Sequence, residues 1–171
     1  MFNQISFPGY RYLFSRGATT FWEHWGELKF EDNTKPGDNR SRSHPFQGGF
    51  DAWFYNGIAG IIPDPEAPGF KHIILKPHMI NELDFGKAKY NSIYGMINSE
   101  WYKSGDEMRW LISIPVNTTA TAYFPTVKIN AIFENGTAAS ESEGLNFLCI
   151  EDGRALYEIG SGNYEFVIKN R

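Results

Sequence analysis

Glu23 stands in the stretch Gly17-Ala-Thr-Thr-Phe-Trp-Glu-His-Trp25, flanked by Trp22 and Trp25. A carboxylate in an aromatic setting is costly to bury unless it is hydrogen-bonded or put to use. Two readings stay open from these residues: Glu23 is a working acid or base, or it caps and braces a helix. Cleavage of a glycosidic bond is one chemistry such a group serves. It needs a second carboxyl about 6.5–9.5 Å away when water attacks directly. The candidates nearby are Glu27, Glu31, Asp32, Asp38 and Asp51. Glu27 would share a helix face with Glu23, but Gly26 interrupts that helix, and no acid is singled out as proton donor. His44, in Arg42-Ser-His-Pro45, either contacts a sugar hydroxyl or is an exposed capping residue. His24, His44, His72 and His78 lack the spacing of a metal site, so no metal or other cofactor is expected.

The elements that must position these groups change character along the chain. A short helix is predicted around 10–15, and another from Thr19 or Thr20, either of which can cap it. Residues 26–42 read as a long polar loop centred on Glu31-Asp-Asn-Thr-Lys-Pro-Gly-Asp-Asn-Arg40. Residues 43–61 read as one helix, with Ser43 as cap, Pro45 in the first turn, and Phe46, Phe50, Trp53, Phe54, Gly57, Ile58 and Ile61 at helical spacing. Its glycines lower helix propensity and form no phosphate-binding pattern.

Ile62-Pro-Asp-Pro-Glu-Ala-Pro-Gly69 ends that periodicity and places a domain boundary, giving domains 1–63 and 64–171. Everything beyond reads as strands: 72–77, a pair around Tyr94-Gly95, 118–125, 129–133, 145–150, 155–159 and 163–169. Met108, Trp110, Ile112 and Ile114 share one face of a further strand, with Arg109, Leu111 and Ser113 on the other. Turns fall at Asn135-Gly136, Asp152-Gly153 and Gly160-Ser-Gly162. The fold class is therefore α+β: helices first, then an antiparallel β-sandwich or open barrel.

The chain has 171 residues, 42% hydrophobic and 16% aromatic, with 20 acidic against 16 basic groups. No face concentrates Lys and Arg, so a nucleic-acid partner is not expected. No segment has the length of a membrane span, and the first residues do not form an export signal, so a cytoplasmic location follows if Met1 is the true start. The lone Cys149, in Asn146-Phe-Leu-Cys-Ile150, is expected to be a buried strand thiol.

Residues 17–25 resemble the Gly-Ala-Thr-Thr-x-Trp-Glu-x-Trp motif of bacterial and fungal α-L-rhamnosidases. The resemblance continues in Ser43-His-Pro-Phe-Gln-Gly-Gly-Phe-Asp-Ala-Trp-Phe-Tyr55, Pro68-Gly-Phe-Lys-His-Ile-Ile-Leu-Lys-Pro77, Ser99-Glu-Trp101, Ile114-Pro-Val-Asn-Thr-Thr-Ala120 and Gly160-Ser-Gly-Asn-Tyr-Glu-Phe166. It implies the terminal helices of an (α/α)6 barrel followed by a C-terminal antiparallel β-sandwich, in an inverting glycoside hydrolase. It also implies Glu23 as general base, His44 in the rhamnose site, and Trp22, Trp25 and Trp53 as apolar walls. Ser43 stands where some members have Asn. The family's general acid lies upstream of the motif, and only sixteen residues precede Gly17. The isolated chain is accordingly expected not to hydrolyse rhamnosides.

Three functions follow for comparison. The first is the C-terminal fragment of an α-L-rhamnosidase, whose parent acts on a rhamnose-containing glycan or glycoside. The second is a carbohydrate-binding or accessory β module. The third is a subunit completing a barrel that a separate chain supplies.

Overall fold

The computed structural model describes residues 4–23 and 41–169. The chain divides into two compact units, Met1–Asp51 and Ala52–Arg171.

In the first unit, helix α1 (Tyr10–Ser15) turns Tyr10 and Leu13 inward. Both are buried with Trp22, and Tyr12, Ala18, Phe21 and Phe50 pack against them. The rings of Tyr10, Phe21 and Phe50 meet at 4.9–6.0 Å in edge or tilted contacts, the arrangement that aromatic quadrupoles favour. The helix expected from Thr19 or Thr20 does not form within the described residues, since positions 19–23 are bends and irregular backbone. The hydroxyl of Thr20 instead donates to the carbonyl of Arg42, a side-chain bond that competes with helix formation.

The single helix expected over 43–61 is a succession of shorter pieces: a 3-10 stretch Pro45–Phe50, an α turn Asp51–Trp53 and a π turn Phe54–Ala59. Glycine explains part of this. A Cβ on Gly57 would lie 2.6 Å from Trp53 Nε1, so the indole occupies room that any other residue would take. Gly60 then adopts φ 72°, ψ 25° and stops the helix, as left-handed cap residues do. Ile61, expected in the helix, begins strand β1 (Ile61–Pro63).

The second unit is a two-sheet sandwich. One sheet has the order β1-β2-β6-β10-β9, with β2 at His72–Leu75, β6 at Thr119–Phe124, β9 at Leu145–Glu151 and β10 at Arg154–Ile159. The other has the order β3-β4-β5-β11-β7-β8. It comprises β3 (Phe85–Ser92), β4 (Gly95–Ser104), β5 (Glu107–Ile114), β7 (Ile132–Glu134), β8 (Thr137–Ala138) and β11 (Gly162–Lys169). Pairing is antiparallel except between β2 and β6, which run parallel.

The two-residue alternation read from 108–114 is the observed one: Met108, Trp110, Ile112 and Ile114 are buried. Trp110 and Phe166 from one sheet meet Phe124 from the other, edge to face, at 5.5 and 4.8 Å. The end of the π turn is tied to the same core. Trp101 Nε1 donates to the Ile58 carbonyl (2.7 Å), Ser99 Oγ donates to the Ala59 carbonyl (2.7 Å), and Trp110 Nε1 donates to Ser99 Oγ (3.0 Å). These bonds satisfy helix-end carbonyls that would otherwise be orphaned on burial.

Cys149 is exposed, not buried. It lies on β9, which ends its sheet and bonds only to β10. With one flank open, six of its seven residues are solvent-exposed. Among the described residues no helix is long and apolar enough to cross a membrane.

Candidate functional site

Glu23 is exposed and anchored at the same time. Its backbone N–H donates to the Ser41 carbonyl at 3.0 Å. In return the Ser41 N–H donates to Glu23 Oε2 at 2.9 Å, a charge-assisted bond to one carboxylate oxygen. The other oxygen has no partner among the described residues. Ser41 is itself fixed, for its hydroxyl donates to the Ser43 carbonyl (2.7 Å) and accepts from the Ser43 N–H (3.1 Å). Gln47 Nε2 reaches the Glu23 carbonyl at 3.3 Å. Among the described residues the carboxylate is thus held by one oxygen.

The same two stretches bring His44 into register. Its N–H donates to the Phe21 carbonyl at 2.7 Å, two residues before Glu23. The half-buried imidazole lies 4.4 Å from the Phe46 ring, edge to face. His44 precedes the 3-10 stretch as its cap residue but makes no side-chain capping bond, so its ring is not consumed in closing the helix.

Of the residues singled out in the sequence, Glu23, His44 and Trp22 belong to the first unit. Trp22 is 7% exposed and belongs to that unit's core beside Tyr10 and Leu13. Trp25 lies outside the described residues, as do His24 and the acids Glu27, Glu31, Asp32 and Asp38. Trp53 belongs to the second unit, where it is 45% exposed and lies 5.9 Å from the Phe54 ring. Asp51 is exposed at the end of the first unit; burial of Tyr10, with a smaller contribution from the Asp51 charge, raises the tyrosine's pKa. No group of His, Cys, Asp and Glu able to hold a metal ion occurs among the described residues.

Sequence reasoning missed Ser41 and Gln47. Their part depends on residues 18 and 24 positions away in the chain, and nothing in their local pattern announces it.

Two family models match the chain in succession. The model described as bacterial alpha-L-rhamnosidase 6 hairpin glycosidase domain covers residues 1–58. The model described as bacterial alpha-L-rhamnosidase C-terminal domain covers residues 57–138. The α-L-rhamnosidase of Streptomyces avermitilis is 27% identical over 168 residues, which are 98% of this chain and 15% of that protein. One from an Alteromonas species is 31% identical over 115 residues, 67% of this chain and 12% of that protein. Among solved structures, the α-L-rhamnosidase of Dictyoglumus thermophilum matches with a TM-score of 0.81 at 32% identity, over 99% of this chain and 18% of that one. The Streptomyces avermitilis enzyme complexed with L-rhamnose matches with a TM-score of 0.80 at 27% identity, over 98% and 15% respectively.

Proposed function

The chain belongs to the bacterial α-L-rhamnosidase family, spanning the end of its six-hairpin domain and its C-terminal domain, and from that premise we propose that Glu23 is the general base of an inverting hydrolysis of terminal α-L-rhamnosides. The observation that carries this reading is the clamp from Ser41: one oxygen of Glu23 is fixed at 2.9 Å, and among the described residues the other has no partner. A base held this way can take a proton from water attacking the anomeric carbon while its own orientation stays set. His44, in register with Phe21, would bind a sugar hydroxyl. Trp25 and Trp53 would offer apolar walls, and Trp22 would hold the backbone beneath Glu23 by packing.

Protonation of the leaving oxygen needs a second carboxyl. The chain spans about 15% of the length of the Streptomyces avermitilis relative, and in this proposal the acid comes from the remainder of a full barrel. Residues 1–63 then belong with the catalytic domain and residues 64–171 form its β appendage. Whether the remaining barrel is continuous with this chain or supplied as a separate chain changes nothing in the role of Glu23.

The test is a rhamnoside hydrolysis assay on the chain within a complete barrel, comparing Glu23 with Glu23→Gln. The expected outcome is a fall in kcat of about 10²–10⁴-fold with KM little altered and an inverted anomer as first product. The 171-residue chain by itself is expected to give no turnover. Near-normal kcat in Glu23→Gln would overturn the assignment.

A further inference from the structure

On the outer face of the six-stranded sheet, strand register sets three small polar side chains in one row. Asn98 on β4 stands opposite Ser113 on β5, and Ser113 stands opposite Asn163 on β11. At about 4.8 Å between strands the row is about 10 Å long, close to the length of one or two sugar units. It lies between two open hollows of about 510 and 320 Å³, and all three residues line both. Met96 and Val116, 49% and 72% exposed, give the larger hollow an apolar side.

Three features set the chemistry of a ligand here. The first is neutrality. The charges beside the row are paired with each other, Arg109 Nε with Glu165 Oε1 at 2.7 Å and Lys89 Nζ with Glu100 Oε1 at 3.9 Å. The second is spare hydrogen-bonding capacity. Ser113 Oγ donates to Asn163 Oδ1 at 2.6 Å, which orients that amide and leaves its Nδ2 donor available. Asn98 Oδ1 is buried with no hydrogen-bond partner among the described residues, a state that costs free energy until a donor arrives. The third is that β4, β5 and β11 are interior strands. Their backbone groups are committed to the ladder, so an extended peptide cannot add to the sheet at this row.

We propose that the Asn98–Ser113–Asn163 row binds a neutral sugar residue, its hydroxyls meeting the two amides and its C–H face lying against Met96 and Val116. Amide and hydroxyl groups in a neutral trough match the alternating donors and acceptors of a pyranose. The site uses no residue of the first unit, so it stands or falls independently of the role of Glu23.

The test is titration of the ¹⁵N-labelled 171-residue chain with L-rhamnose and, in parallel, D-galactose, following the side-chain amide signals of Asn98 and Asn163. The expected result is a saturable shift of both amides with at least one sugar. Asn163→Ala and Ser113→Ala should each weaken that binding about tenfold, as loss of one or two hydrogen bonds does. Asn163 is exposed, so its substitution leaves the fold intact even if changes at Asn98 do not. Glu23→Gln should leave the shifts unchanged. No saturable shift with either sugar would overturn the proposal. So would unchanged affinity in both row variants, or shifts abolished by Glu23→Gln.

Discussion

In the second unit Trp101, Trp110, Phe124, Tyr157 and Phe166 are fully enclosed, whereas among the described residues of the first the buried apolar side chains are Tyr10, Leu13 and Trp22, and Phe7, Phe14 and Phe46 stand 51%, 65% and 76% exposed. Both regions are rich in aromatic residues. What differs is whether the aromatic faces find partners within their own unit. The sandwich closes two sheets over one core and satisfies its buried helix-end carbonyls with Ser99 and Trp101. Among its described residues the first unit has one short α-helix, a 3-10 stretch and bonds between paired segments, which together enclose few apolar side chains. Stability and candidate chemistry are thus separated: the sandwich is built to persist, while Glu23 and His44 sit in the thinly packed part.

The contrast breaks most visibly at Trp101. Trp101→Ala removes a fully buried indole and orphans the Ile58 carbonyl, and should cost about 3–5 kcal/mol in urea unfolding followed by far-UV circular dichroism. Trp22→Ala, in the same experiment, should leave the main transition in place; equal losses at both positions would erase the distinction between the units. Ser99→Ala comes next. It strips a donor from the Ala59 carbonyl and an acceptor from Trp110 Nε1, and should lower the same midpoint by about 1–3 kcal/mol.

Tyr157 sharpens the comparison from the other side. Its hydroxyl is buried with no partner among the described residues, and burial raises its pKa. Tyr157→Phe should therefore be neutral or stabilising by up to about 1 kcal/mol; a clear loss would show that the hydroxyl is bonded after all. The smallest effect is at the surface. The hydrogen bond from Arg109 holds the Glu165 carboxyl below its ordinary range, so the pair's contribution is present above that range and is lost as pH falls through the lowered value. Both groups are solvent-screened. Glu165→Gln should differ slightly from the parent in thermal midpoint near neutrality and at low salt, with the difference gone in acid.

Much of the sandwich was legible because its signals are local. The alternation through Met108, Trp110, Ile112 and Ile114 gives both strand and buried face, and Asn135-Gly136 and Asp152-Gly153 supply the positive φ values their turns require. Strands β1 and β8, with three and two residues, are too short to carry a period. Residues 43–61 showed apolar helical spacing, but that spacing does not distinguish α from 3-10 and π geometry when glycine frees the backbone. Cys149 looked buried because its neighbours are apolar; its position on an edge strand is a property of the whole sheet. Glu23 and His44 were visible as residue types in a motif. Ser41, and the row formed by Asn98, Ser113 and Asn163, were not, since both depend on pairings between residues distant in sequence.

The parallel pairing of β2 with β6 has a kinetic consequence. His72 finds Thr119 only after the chain has passed through β3, β4 and β5, which belong to the opposite sheet. Those three strands join consecutively through antiparallel pairings and can zip as a meander, while the five-stranded sheet must wait for a long loop to close. The sandwich should therefore assemble from the six-stranded side, with the β2–β6 seam formed late. Substitutions in that seam should then speed unfolding more than they slow folding.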